Sequence, residues 1–142
     1  MPTYSAIEPP RIFATFRFRD AARMIGWLGE AFGFAVHARY DNEDGTVAHS
    51  ELALGSSMIM VGQDRIDAYG STVGKAAEQG GKSLYIAVDD VDSVFERAKA
   101  AGATIEQGLT DTDHGSREFI CRDPEGNVWC FGTYWPKAHE KP

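Results

Sequence analysis

The sequence lacks the features of several large protein classes. Its only cysteines, Cys121 and Cys130, are too few for a disulfide framework and do not form a CxxC zinc motif. No apolar run approaches the roughly 20 residues that a membrane helix needs. The first ten residues have neither the basic nor the apolar region of a signal peptide. We therefore expect a reduced, cytoplasmic protein with no membrane partner.

Clusters of positive charge are also missing. The formal net charge is -7, and the arginines are scattered. Binding to a phosphate backbone needs a basic surface, so this pattern argues against nucleic acid as a partner. The chain has 142 residues, of which 43% are hydrophobic and 25% charged, and this is typical of one globular domain.

One pattern of strand followed by helix occurs twice in the chain. The two helical stretches follow Asp20 and Asp89, and they end at Gly33 and Gly102, so the interval from aspartate to glycine is the same in both. Such a repeat indicates a duplicated module. Paired modules usually enclose a pocket between their sheets.

The first strand has two different faces, because its side chains alternate. The apolar face, which we expect to pack on a helix, carries Ala14, Phe16 and Phe18. The other face carries Phe13, Thr15 and Arg17, and the corresponding face of the second copy carries Ser83 and Tyr85.

Further short strands follow each helix, and together they predict two βαβββ modules. Module one covers about residues 11–61 and module two about 82–134, with a glycine-rich linker at 62–81. The segments 1–10 and 135–142 lack periodicity and are predicted to be loose arms.

The stretch from Gly115 to Tyr134 contains the runs GSREF, DPEGN and FGTY. With the repeated βαβββ pattern, it resembles the vicinal oxygen chelate superfamily, which holds glyoxalase I, bleomycin-resistance proteins, fosfomycin-resistance enzymes and extradiol dioxygenases. The resemblance covers about residues 12–134 and is strongest to bacterial glyoxalase-like proteins. It implies a single α+β domain with a curved mixed sheet or half-barrel, helices on the outside, and a homodimer.

Enzymes of that superfamily hold a divalent metal through His or Glu at four positions. The resemblance places these positions at Phe13, Met60 (or Met58 on the same face), Ser83 and Cys130. None is His, Glu or Asp, and a hard divalent cation needs oxygen or imidazole ligands. We therefore expect no metal cofactor, unless the protein is an enzyme that uses other ligands.

The predicted cavity is mostly apolar, as small-molecule pockets are. A hairpin closing over Asp123 to Gly126 would place Cys121 opposite Val128, with Cys130 as its diagonal neighbour on the same face. The predicted lining residues are Phe13, Thr15, Arg17, Met58, Met60, Ser83, Tyr85, Cys121, Val128 and Cys130. The alternative is that these residues simply fill a core.

Several charged and nucleophilic residues admit more than one interpretation. Arg17 and Arg117 would pair either with an anionic ligand or with a carboxylate of the protein. His49 and Glu51 share one strand face. They form a base with its orienting carboxylate, half of a displaced metal site, or simply an exposed polar face. His114 is a loop residue or a cation ligand. Cys130 is an inert buried thiol or a nucleophile.

Three functions follow from these observations. The first is metal-free binding of a small apolar or aromatic molecule between the modules, as in bleomycin-resistance proteins. The second is a lyase, isomerase or dioxygenase whose metal is held by residues such as His49, Glu51, His114 or Cys130. The third is an interaction or regulatory module with a closed cavity.

Overall fold

Two βαβββ modules make up the α+β fold, as the sequence predicts. The structure, a computed structural model, describes residues 8–76, 81–138 and 140. The first module contains β1 (Ala14–Phe18), α1 (Ala21–Phe32), β2 (Ala35–Asp41), β3 (Val47–Leu54) and β4 (Ser57–Gln63). After a short helix, α2 (Ala68–Val73), the second module contains β5 (Leu84–Ala87), α3 (Val91–Ala100), β6 (Thr104–Asp111), β7 (Arg117–Arg122) and β8 (Val128–Gly132).

Each module forms its own four-stranded mixed sheet. The strand orders are β1-β4-β3-β2 and β5-β8-β7-β6, so the two sheets have the same topology. In each sheet the first strand runs parallel to the last, and the other pairs are antiparallel. The repeat in the sequence is thus a repeat in the fold.

Local signals in the sequence define α1. The Asp20 carboxylate accepts a hydrogen bond from the Arg23 N–H and caps the helix, and Gly33 ends it with a φ of 87°. The buried face of α1 packs on the sheets and carries the predicted residues Met24, Ile25, Leu28 and Phe32.

The helix of the second module, α3, begins one residue later than the repeat predicts. Asp90, rather than Asp89, caps α3 by accepting a hydrogen bond from the Ser93 N–H. Val91 and Ala98 are the buried residues of this shorter helix. Because both aspartates are good N-caps, the sequence alone does not separate them.

The two modules pack through their helices and a shared aromatic core. The Phe16 and Trp129 rings stack with their centroids 5.3 Å apart, and Phe32 lies 5.0 Å from Trp129. At the helix ends, Trp27 Nε1 donates to the Ala101 carbonyl at 2.7 Å. Arg97 Nε donates in the opposite direction, to a carbonyl at the end of α1. These contacts satisfy helix-end carbonyls that have no partner within their own helix.

The DPEG turn joins the modules a second time. Glu125 is buried, and its carboxylate accepts hydrogen bonds from the backbone N–H groups of Arg19 at 2.6 Å and Asp20 at 2.8 Å. Asp123 holds the turn itself, because it accepts from the Glu125 N–H and from Trp129 Nε1.

The hairpin register at this turn differs from the predicted one. The Asp123 N–H donates to the Asn127 carbonyl, and Gly126 adopts a φ of 91°, so the loop is one residue longer than predicted. Cys121 therefore lies opposite Trp129, not Val128, and is fully buried on the helix side. Its placement on the cavity face was wrong, since one extra loop residue reverses the faces of a strand.

The glycine-rich segment predicted as a linker has structure of its own. β4 continues to Gln63, and α2 occupies Ala68–Val73 with Asp67 as its N-cap. Residues 77–80 of this segment lie outside the described residues, as do residues 1–7, 139, 141 and 142 of the predicted arms. Among the described helices, none is long and apolar enough to span a bilayer.

Candidate functional site

A cleft of about 1000 Å³ opens between the first sheet, α2 and the edge of the second module. One wall is the face of β1 and β4 that points away from the helices, where Thr15 pairs with Met60. The described residues that line it are Ala14, Thr15, Phe16, Arg17, Ala48, His49, Met60, Val61, Gly62, Tyr69, Thr72, Val73, Gly74, Lys75, Ala76, Lys82, Ser83, Leu84, Gly126, Asn127 and Val128.

Two residues of β1 hold α2 over the cleft. Arg17 forms a two-pronged ion pair with Asp67, with Nη1–Oδ1 at 2.8 Å and Nη2–Oδ2 at 3.1 Å. The Tyr69 ring lies under the same guanidinium, 4.7 Å away, and its hydroxyl is 3.2 Å from Thr15 Oγ1. These contacts fix one side of the cleft.

The ion pair shifts the pKa of both partners. The Arg17 guanidinium, followed by the Gly70 N–H, lowers the pKa of the Asp67 carboxyl. The hydrogen bond that Arg17 donates to Asp67 raises the pKa of Arg17. Arg17 thus makes the intramolecular ion pair that the sequence left as one of two possibilities. A contact of Arg17 with a ligand stays a prediction.

His49 is part of the cleft wall, with Glu51 beside it. The two side chains share the predicted strand face, and His49 Nε2 lies 3.0 Å from Glu51 Oε2. The Tyr40 ring stacks on the imidazole with a centroid distance of 6.3 Å. Glu51 also lies opposite Met60 in the sheet. Both side chains are partly buried, so this strand face is not a fully exposed polar face.

The structure separates the predicted lining residues, together with the candidate ligand contact Arg117, into two groups. Those that line the cleft are Thr15, Arg17, Met60, Ser83 and Val128. Those not among its described lining are Phe13, Met58, Tyr85, Arg117, Cys121 and Cys130. Met58 shares the strand and face of Met60, but it lies nearer the β3–β4 turn.

Tyr85 and Cys130 pair on the corresponding face of the second sheet. The Tyr85 hydroxyl donates to the Tyr134 carbonyl at 2.7 Å, and burial raises the pKa of this phenol. Burial, with a smaller contribution from Glu118, raises the pKa of the Cys130 thiol. A raised pKa disfavours the thiolate, and this argues against Cys130 as a nucleophile.

Arg117 and His114 lie apart from the cleft. Arg117 Nε is 2.7 Å from Asp92, and its Nη1 is 3.1 Å from Asp111, so it makes the ion pairs that were one of its two interpretations. His114 is a largely exposed loop residue 4.0 Å from Glu118.

Comparison with known proteins assigns this fold to a family. The sequence profile of the glyoxalase/bleomycin resistance protein/dioxygenase superfamily matches residues 13–131. The chain belongs to this superfamily. The match includes both sheets and both large helices, as the sequence resemblance implied.

Several superfamily structures and relatives are similar to the chain. TioX from Micromonospora sp. ML1 is 33% identical, with a TM-score of 0.72 over 87% of this chain and 97% of TioX. The fosfomycin resistance protein FosX from Listeria monocytogenes shares the fold at 12% identity, with a TM-score of 0.64 over 89% of this chain and 92% of FosX. The Mycobacterium tuberculosis protein Rv0887c is 31% identical over 80% of this chain and 68% of its own length.

The superfamily's metal chemistry does not fit the residues present at its metal positions. The resemblance places these positions at Phe13, Met60 (or Met58), Ser83 and Cys130, and in the sheets Met60 pairs with Thr15 and Cys130 with Tyr85. A thioether, a thiol of raised pKa and neutral hydroxyls do not form a ligand set for a hard divalent cation. No group of three or more His, Cys, Asp or Glu suited to a metal occurs within residues 8–76, 81–138 and 140.

The part of the wall that α2 supplies was not predicted from the sequence. Tyr69, Thr72 and Val73 line the cleft from this helix, which lies in the segment predicted as a linker. The available signal was Asp67 before a short run of helix-compatible residues, since aspartate is a preferred N-cap. The glycines on both sides of this run favoured its interpretation as a linker.

Proposed function

We propose that this protein binds a small apolar or aromatic organic molecule in the cleft between its modules without a metal. The observation that carries the proposal is the cleft itself, which has the size typical of small-molecule sites and a wall with more apolar than polar surface. The absence of a fitting metal ligand set at the superfamily positions favours binding over metal-dependent catalysis. We further propose that the protein acts as a homodimer in the cytoplasm.

Two methionines on one strand offer a matched test of the cleft. Met58 and Met60 face the same side of β4 and are buried to a similar degree, but only Met60 is among the described lining residues. A Met60→Trp substitution fills the cleft with a larger side chain. The Met58→Trp substitution adds the same volume to the same strand outside it.

The probe for this test is N-phenyl-1-naphthylamine, an uncharged aromatic compound that fluoresces in apolar surroundings. We expect saturable binding to the wild type and to Met58→Trp, and weakened binding to Met60→Trp. Equal binding by both folded variants would place the probe elsewhere and refute the cleft as the site. No binding to the wild type would refute an apolar site for this class of compound.

One observation favours a second function, acid–base catalysis in the same cleft. When its Nε2 is protonated, His49 donates to Glu51, and Nδ1 is then a proton acceptor. Such a histidine, oriented by a carboxylate beside an apolar cleft, is suited to act as a general base. This function would need no metal.

The probe for this second function is 5-nitrobenzisoxazole. A base takes the proton from its ring carbon C3, the N–O bond breaks, and the electron pair ends on the oxygen of a coloured cyanonitrophenolate. A catalytic His49 predicts a rate above buffer that His49→Gln abolishes and Glu51→Gln lowers. The control is His37→Gln, an exposed histidine on β2 outside the cleft lining. Equal rates in all four proteins would exclude His49 as a base for this substrate.

A further inference from the structure

Two of the described residues on the cleft wall carry a benzene ring, Phe16 and Tyr69. The Phe16 ring stacks on Phe18 and on Trp129, so it belongs to the aromatic core. Tyr69 comes from α2, a helix that has no buried residue, and it is 47% exposed. Of these two rings, Tyr69 is therefore the one that a molecule in the cleft can contact over a large area.

The orientation of the Tyr69 ring is fixed although the residue lies at the surface. The Arg17 guanidinium lies over one face of the ring, 4.7 Å from its centroid. Arg17 is itself held by its two-pronged ion pair with Asp67. At the edge of the ring, the Tyr69 hydroxyl is 3.2 Å from Thr15 Oγ1. A side chain that is already held in place loses little conformational entropy when a ligand binds to it.

The ring face opposite Arg17 is the one that a ligand can use. The guanidinium covers the other face, and a cation over an aromatic ring is itself a favourable contact. Aromatic rings stack on such a face in an offset arrangement, which contributes affinity beyond the apolar area that is buried. A saturated, puckered molecule of the same size cannot lie flat on the ring, so fewer of its atoms come into contact.

We propose that Tyr69 is a specificity-determining residue, which selects planar aromatic molecules by stacking on them. This inference rests on the proposed function, because it narrows the ligands of the cleft to those with a flat ring system. Val73 lies one turn further along α2 and lines the cleft as well. Its aliphatic side chain contacts planar and puckered molecules alike, so it contributes affinity without this selectivity.

Two alcohols with the same carbon skeleton separate stacking from hydrophobic contact. 2-Naphthol is planar and aromatic, and decahydro-2-naphthol is its saturated, puckered counterpart. Isothermal titration calorimetry measures the affinity for each. We expect Tyr69→Leu to weaken 2-naphthol binding about three- to tenfold, the range for an aromatic pair, and to change decahydro-2-naphthol binding by less than about twofold. Tyr69→Phe keeps the ring and should bind both alcohols as the wild type does.

Val73→Ala is expected to weaken the binding of both alcohols by a similar factor, because it removes apolar contact only. The matched control is Tyr134→Leu, the same substitution at an exposed tyrosine outside the described cleft lining, and it should leave both affinities unchanged. If Tyr69→Leu weakens both alcohols equally, or neither of them, the inference is overturned while the proposed function stands. If neither alcohol nor N-phenyl-1-naphthylamine binds the wild type, the proposed function fails and the inference fails with it.

Discussion

The backbone N–H of Asp20 in the first module donates to the buried carboxylate of Glu125 in the second, at 2.8 Å. The other oxygen of this carboxylate accepts from the neighbouring Arg19 N–H at 2.6 Å. A residue of the DPEG turn therefore holds the beginning of α1, where unpaired backbone N–H groups attract negative charge. This turn also supplies Gly126 and Asn127 to the cleft. The motif that carries the family resemblance thus connects the two modules.

Replacement of Glu125 by glutamine is expected to lower the free energy of unfolding by about 1–3 kcal/mol. The variant loses the charge and presents an amide N–H₂ to a backbone donor. Urea unfolding of the wild type and variant measures the difference. The control is Glu96→Gln at an exposed position of α3, expected to be within about 0.5 kcal/mol of the wild type. Equal stability of the two variants would show that the Glu125 contacts contribute nothing.

The ion pair between Arg17 and Asp67 predicts a pH dependence. Because the folded protein lowers the pKa of Asp67, this pair stabilises the fold above the ordinary aspartate pKa of about 3.9 and loses its effect as the pH falls below that value. The stability difference between the wild type and Arg17→Gln should therefore shrink between about pH 5 and pH 2. Thermal unfolding across this range measures it. A difference that does not change with pH would contradict the pairing.

The buried position of Cys121 predicts a thiol that does not react in the folded protein. Burial raises its pKa to about 12, so almost no thiolate forms near neutral pH. In the Cys130→Ser variant, a thiol reagent such as Ellman's reagent should label Cys121 only after denaturation. Rapid labelling of the folded variant would place Cys121 on an accessible face and support the originally predicted register.

Gly132 lies directly under the Tyr85 ring. A Cβ added there would lie 2.5 Å from the Tyr85 hydroxyl and 2.8 Å from Glu118 Cγ. The Gly132→Ala substitution should displace Tyr85, break its hydrogen bond to Tyr134, and lower stability by about 1–3 kcal/mol. Gly108→Ala on β6, where a Cβ would meet nothing within 4 Å, is the control and should unfold like the wild type. If both variants unfold alike, the close packing at Gly132 is not present in solution.

Much of this fold could be predicted because it depends on local patterns. The alternation of β1 separated its core face from its cleft face, and Asp20 and Gly33 correctly bounded α1. The repeat identified both modules. Each of these signals lies within a few residues of the structure it specifies.

Sequence reasoning left questions open, or was wrong, where contacts are distant in sequence or where one residue decides the outcome. Arg17 pairs with Asp67, which lies fifty positions away in the sequence, and no local pattern predicts that pairing. The register of β7 and β8 depends on whether the loop closes at Gly126 or Asn127, and this choice reversed the face of Cys121. The part of the cleft formed by α2 was missed because a six-residue helix between glycines has little periodicity.

Elemental mass spectrometry of the purified protein would show whether the cleft functions without a metal. The protein would be dialysed with and without added zinc, nickel, manganese and iron, and the metal content per chain then measured. We expect far less than one metal per chain under every condition, with unchanged N-phenyl-1-naphthylamine binding after treatment with a chelator. Retention of about one metal per chain through dialysis would contradict this expectation and would direct attention to His49 and Glu51 as ligands.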